Sequence, residues 1–95
     1  MKLVYTVEAV EDLKRLRQFI AEHNPAAARR IAAELVAKIK LLADFPAIGV
    51  PVAMAPVPES LRDMVFGNYV VRYSLHSSAI IILRVWHSLE NERQQ

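Results

Sequence analysis

Cysteine is absent from these 95 residues. That excludes a disulfide framework and any thiolate metal centre, and it fits a reducing compartment. Two glycines are too few for a phosphate-cradling loop. No spacing of His, Asp and Glu resembles a metal site, and no Ser-His-Asp set can be assembled. Neither a metal nor a cofactor is therefore expected. The longest purely apolar run, Ala79–Leu83, is far too short to cross a bilayer. The opening MKLVYTVEAVED meets acidic residues too early for a secretory leader. A cytoplasmic protein with no membrane partner is expected. A dense basic stripe is also missing. Residues 1–58 carry eight Lys/Arg against six Asp/Glu, and residues 59–95 carry four of each. A protein that held nucleic acid chiefly through phosphates would concentrate its cations, so a protein partner is favoured.

What is present is an ample apolar fraction, 54%, enough for a core in one small domain spanning residues 1–95. Lys2–Thr6 reads as a short strand, and Thr6 as the N-cap of a first helix. Ala9, Leu13, Leu16 and Ile20 recur on one helical face, with Glu11, Asp12, Lys14, Arg15 and Arg17 assigned to the other. Asn24-Pro25 supplies a cap and a first-turn proline for a second helix. Its apolar stripe is Ala28, Ile31, Ala32, Leu35, Ile39 and Leu42. So short a link makes the two helices an antiparallel hairpin. Phe45-Pro46 ends the second helix. Four of the five prolines fall in Pro46–Pro58, an extended, semi-rigid connection. The tail Ser88–Gln95 is polar and is expected to fray.

The remaining stretch, LRDMVFGNYVVRYSLHSSAIIILRVWH (residues 61–87), reads as three strands and two turns. Gly67-Asn68 suits a mirror-image two-residue hairpin turn. That turn sets Phe66 opposite Tyr69, Met64 opposite Val71, Asp63 opposite Arg72 and Arg62 opposite Tyr73. A second turn at His76-Ser77-Ser78 pairs Leu75 with Ile81, Tyr73 with Leu83, Val71 with Val85, Arg72 with Arg84 and Val70 with Trp86. One face then carries Met64, Phe66, Tyr69, Val71, Tyr73, Leu75, Ile81, Leu83 and Val85, a core face. The other carries Asp63, Val65, Val70, Arg72, Ser74, Ile80, Ile82, Arg84 and Trp86. The fold class is α+β in the order β-α-α-β-β-β, an N-terminal strand and helical hairpin packed on one face of an antiparallel sheet.

The mixed second face is the candidate site. Trp86 and Ile82 beside two arginines could floor a partner groove, or could be partly buried under Pro51–Pro58. Arg72 and Arg84 could await a partner's carboxylate or phosphate, or Asp63 could pair with Arg72 in a cross-strand ion pair. His87, at the end of the last strand, is assigned a structural hydrogen bond in preference to acid–base work.

The pieces AVEDLKRLRQFI, NPAAARRIAAELVAKIKLLADFPAIGVPV, LRDM, YVVRY and IIILRVWH cover almost the whole chain. In that order and spacing the chain resembles the RelE/ParE toxin superfamily of bacterial type II toxin–antitoxin modules, ParE-type members most. The resemblance implies a toxin that binds DNA gyrase without being an enzyme, and a cognate antitoxin that neutralises it in a hetero-oligomer. It also brings plasmid stabilisation into view. On this reading no residue is catalytic. The partner-binding residues are Val70, Arg72, Ile80, Ile82, Arg84 and Trp86 on the sheet, with Leu13 and Leu16 on the first helix. The resemblance also implies an alternative, a ribosome-dependent endoribonuclease that cuts messenger RNA, for which Arg62, Arg72, Arg84 and His87 are the candidates. A degenerate, non-toxic member is a third possibility. The ribonuclease branch commonly places lysines on the strand before the central hairpin and an arginine after its tyrosine. Here those positions hold Leu61, Asp63, Val65 and Val70.

Overall fold

The computed structural model describes residues 1–53 and 60–88. The tail beyond Ser88 and the heart of the proline-rich connection, 54–59, lie outside the described residues. The elements are β1 (Lys2–Tyr5), α1 (Val7–His23), α2 (Pro25–Lys40) with a 3-10 turn at Leu41–Ala43, β2 (Val50–Pro51), β3 (Leu61–Phe66), β4 (Tyr69–Leu75) and β5 (Ala79–His87). They form one five-stranded sheet in the order β1-β5-β4-β3-β2. The N-terminal strand is taken into the sheet itself, parallel to β5; the other pairings are antiparallel.

Local chemistry sets these boundaries. The Thr6 hydroxyl accepts from Ala9 N–H at 3.0 Å and starts α1. Asn24 serves both helices. Its N–H donates to Ile20 at the end of α1, and its side chain accepts from Ala27 N–H at 3.2 Å to open α2. One shared cap leaves no slack, and the helices fold back on each other as a hairpin. Gly67 takes φ +58° at the β3–β4 turn, a region that L-residues avoid. The β3–β4 register is as the turn requires, from Phe66 opposite Tyr69 to Arg62 opposite Tyr73.

The β4–β5 register departs from expectation partway along. Val70 faces Trp86, Val71 faces Val85 and Arg72 faces Arg84, but Tyr73 faces Ile82 and Leu75 faces Ile80. The expected pairs Leu75–Ile81 and Tyr73–Leu83 are not formed, because Leu83 is an extra residue in β5 and makes a bulge. The bulge is anchored from outside the sheet. Thr6 N–H donates to Ile82 O at 3.1 Å. The Thr6 hydroxyl lies 3.0 Å from both Ile82 O and Leu83 O. The carboxylate of Asp12 accepts from Val85 N–H at 2.9 Å. The start of α1 therefore satisfies the ladder groups that the bulge frees.

The bulge transposes the face of β5 that follows the second turn. Ile80 and Ile82, expected on the mixed face, are fully buried in the core with Leu16, Leu35, Ile39, Leu42, Val71, Tyr73 and Val85. Ile81, expected in the core, lies opposite Ser74 and is half-buried, as is the bulge residue Leu83. β2 is a further correction to the expected connection. Two residues of it pair with Asp63 and Arg62. Tyr73 holds this segment, its hydroxyl accepting from Gly49 N–H at 2.9 Å and donating to Pro46 O at 2.7 Å. Arg62 adds a bond from Nη1 to Gly49 O at 2.7 Å.

Candidate docking surfaces

Register brings Arg72 and Arg84 side by side, as the alternation of β4 and β5 predicts. Each is held by a carboxylate. Arg72 reaches Asp63 through Nε at 2.8 Å and Nη2 at 3.0 Å, the cross-strand pair that the hairpin register allows. Its guanidinium also lies over Trp86, 5.2 Å from the ring centroid. Arg84 turns to α1 instead. Its Nε and Nη2 bond the two oxygens of Asp12 at 2.8 and 3.0 Å. Arg15 adds a third contact to Asp12 at 2.6 Å. Both pairs have the two-pronged geometry that gives guanidinium–carboxylate bonds their strength.

Asp12 is the residue that sequence reasoning misplaced. It was assigned to the polar side of α1, yet it is buried. Ala9, Asp12, Leu16 and Ile20 are the buried positions of the helix, and their spacing was the available signal: a carboxylate inside the apolar stripe demands partners. Burial alone would raise its pKa. Hydrogen bonds from Arg84, the Val85 N–H and Arg15 outweigh that and hold it below the ordinary carboxylate value. In return, the Asp12 hydrogen bond raises the pKa of Arg84.

The apolar part of the expected sheet site is reduced. Ile80 and Ile82 belong to the core, and Trp86, beside Val70, is buried with Arg72 over its ring. Val70, Ile81 and Leu83 are half-buried. His87 is buried at the end of β5, edge-on to Tyr69 at 5.0 Å and 6.2 Å from Phe19. Arg62 is tied to the carbonyl of Gly49. Of the four residues named for RNA cleavage, Arg72 and Arg84 are neighbours on the sheet, and all four have protein partners.

Leu13 and Leu16 lie in a different surface. An apolar groove of about 250 Å³ opens between α1 and α2, lined by Leu13, Leu16 and Ile20 on one side and Ala32, Leu35 and Val36 on the other, with Lys14 and Arg17 at its rim. A shallower trough of about 620 Å³ continues from it over α2, past Arg29 and Lys40. Among the described residues, no carboxylate lines either depression. Among the described residues, no group of His, Cys, Asp and Glu could hold a metal, and no helix is long and apolar enough to cross a membrane.

Comparisons with known proteins agree with this architecture. Residues 3–92 match the family described as ParE toxin of type II toxin-antitoxin system, parDE. Toxin RelE1 of Caulobacter vibrioides is 33% identical over 93% of this chain and 94% of its own length. Toxin RelE2 of the same organism is 33% identical over 92% of this chain and 94% of its own. Among solved structures, the chromosomal ParDE system of P. aeruginosa superposes with a TM-score of 0.77 at 21% identity, covering 92% of this chain and 95% of that one. The toxin–antitoxin complex RelBE2 of Mycobacterium tuberculosis gives a TM-score of 0.64 at 24% identity, covering 90% and 95%.

Proposed function

Since the chain belongs to the ParE toxin family of type II toxin–antitoxin systems, we propose that it acts by binding DNA gyrase and that a cognate antitoxin neutralises it. The observation that carries this reading is the state of the four residues a ribonuclease would need. Cleavage by attack of a 2′-hydroxyl requires cations and a proton-transfer group converging on one phosphate. Here Arg72 is bound by Asp63, Arg84 by Asp12 and Arg62 by the Gly49 carbonyl, while His87 is buried among aromatic rings. Their geometry favours support of the sheet over chemistry on RNA.

The groove between α1 and α2 suits the antitoxin. Its apolar floor and cationic rim fit an amphipathic segment with acidic residues along one edge, a segment that is disordered until it docks. Because Arg72 and Arg84 already hold carboxylates, Arg17, Arg29 and Lys40 are better placed to meet those acids.

Purified protein added to gyrase is expected to block supercoiling and accumulate cleaved DNA, and the antitoxin is expected to reverse both. The names of the two Caulobacter relatives favour the second reading, cleavage of messenger RNA at the ribosome. Undiminished supercoiling at saturating protein, together with A-site cuts in translated messages, would establish that reading and reject ours.

A further inference from the structure

Chain order scatters the cations of the amino-terminal half, and the helical hairpin regroups them. Residues 1–58 carry eight Lys/Arg. Arg15 is held by Asp12 and Arg30 by Glu34, Lys14 lies 3.9 Å from Glu11, and Lys38 sits over the Phe66 ring. Arg17, Arg29 and Lys40 are different. All three are exposed, and among the described residues they make no ion pair. All three line the shallow trough over α2, whose floor is Ala32, Ala33, Val36 and Ala37.

Arg29, Ala33, Val36 and Lys40 recur at i, i+4, i+7 and i+11 of α2 and share one face. Eleven residues at 1.5 Å each put the two end cations about 16 Å apart along the axis. Arg17 joins them from α1. Floor residues this short give a partner's side chain little to sink into, yet they let a phosphate backbone lie close to the helix. Cations with no carboxylate among them suit a row of phosphates. Among the described residues, no aromatic ring lines the trough, so it has no platform for unstacked bases. No hydroxyl or amide side chain lines it either, and those are the groups that would read a ribose 2′-hydroxyl. An intact DNA duplex, held by its backbone alone, fits this chemistry best.

We propose that the trough formed by Arg17, Arg29 and Lys40 holds the phosphate backbone of duplex DNA, the DNA on which gyrase works. The source of that DNA rests on the gyrase reading; the binding itself does not. Three phosphate contacts alone make a weak, sequence-independent site, with Kd on the order of 10⁻⁴–10⁻⁶ M at physiological salt. A toxin already seated on gyrase meets the enzyme's DNA at an effective concentration on the order of millimolar, so a weak site is filled there. An antitoxin in the α1–α2 groove puts its acids on the same three cations. Antitoxin and DNA therefore exclude each other.

The test is fluorescence anisotropy of a short labelled DNA duplex with the intact protein, titrated over a range of salt. The parent is expected to bind at low salt with a log–log salt slope of about −2.7, as three phosphate contacts require. Arg17→Gln, Arg29→Gln and Lys40→Gln should each flatten the slope by about 0.9, and the triple variant should bind at least roughly tenfold more weakly. Arg17→Lys and Arg29→Lys keep the charge and should keep the parent slope. Arg30→Gln is the control: Arg30 adjoins Arg29 in sequence, lies outside the trough and pairs with Glu34 at 3.5 Å, so its loss should change little. Circular dichroism and thermal melting verify that each variant is folded. The proposal is overturned if the parent does not bind the duplex at low salt, if Arg30→Gln costs as much as Arg29→Gln, or if an RNA duplex of the same sequence binds more tightly than the DNA. Failure of the gyrase reading appears instead as undiminished supercoiling by a parent that still binds DNA, so the two failures are told apart.

Discussion

Two arginine–carboxylate pairs sit next to each other in this protein and have the same bond geometry, yet they belong to different regions. Arg84–Asp12 joins helix to sheet at a bulge. Arg72–Asp63 joins two strands of the sheet, β3 and β4. The first carboxylate is sealed and bonds three other groups; the second is part-exposed and bonds one. Bond length therefore says little about energetic weight. What matters is how many groups lose their partner when the carboxylate is removed and whether water can replace it.

Substitutions can break that comparison in order of size. Asp12→Ala is expected to have the largest effect, a loss of ~2–4 kcal/mol in urea unfolding, because it removes the one carboxylate that Arg84, Arg15 and the Val85 N–H share at a partly buried seam. Gly49→Ala comes next. A Cβ there would lie 2.7 Å from the Tyr73 hydroxyl and 3.0 Å from the Asp63 carbonyl. Crowding of this kind costs ~1–3 kcal/mol, and the melting temperature should fall accordingly. Tyr73→Phe leaves Gly49 N–H and Pro46 O without their partner, and about 1–2 kcal/mol should be lost on chemical denaturation. Asp63→Ala is expected to cost about 1 kcal/mol or less. A loss as large as that of Asp12→Ala would erase the distinction between the two pairs.

Acid sharpens the same contrast. The folded pKa of Asp12 is depressed, so its contribution is complete above the unfolded value of ~3.9. It disappears as pH falls through the lower, folded value. Below about pH 4 the urea midpoint of the parent should therefore drop more steeply than that of Asp12→Asn.

Much of the fold could be read from the chain because the signals were local. Thr6, Asn24-Pro25 and Gly67-Asn68 each fix a backbone feature through their own chemistry, and the β3–β4 register follows from one turn. The bulge could not be read in that way. Its determinants, Thr6 and Asp12, lie more than seventy residues from the strand they reshape, and strand alternation carries no mark of an inserted residue. The same gap misplaced Ile80, Ile81, Ile82 and Leu83. Within the candidate site, the neighbouring arginines and the Asp63 pair were legible from register. The buried role of Asp12 had a sequence signal, its place among Ala9, Leu16 and Ile20, but its partner did not.

The place of β1 beside β5 has a consequence for biosynthesis. β5 lies inside the sheet, between the first strand and β4, and α1 also packs on it through Asp12 and Thr6. Neither the amino-terminal strand nor the first helix can dock until residues 79–87 have left the exit tunnel. Pairings so distant along the chain close late and slowly. The sheet of a nascent polypeptide of this sequence is therefore incomplete until residues 79–87 emerge, and any surface built on that sheet is assembled only then.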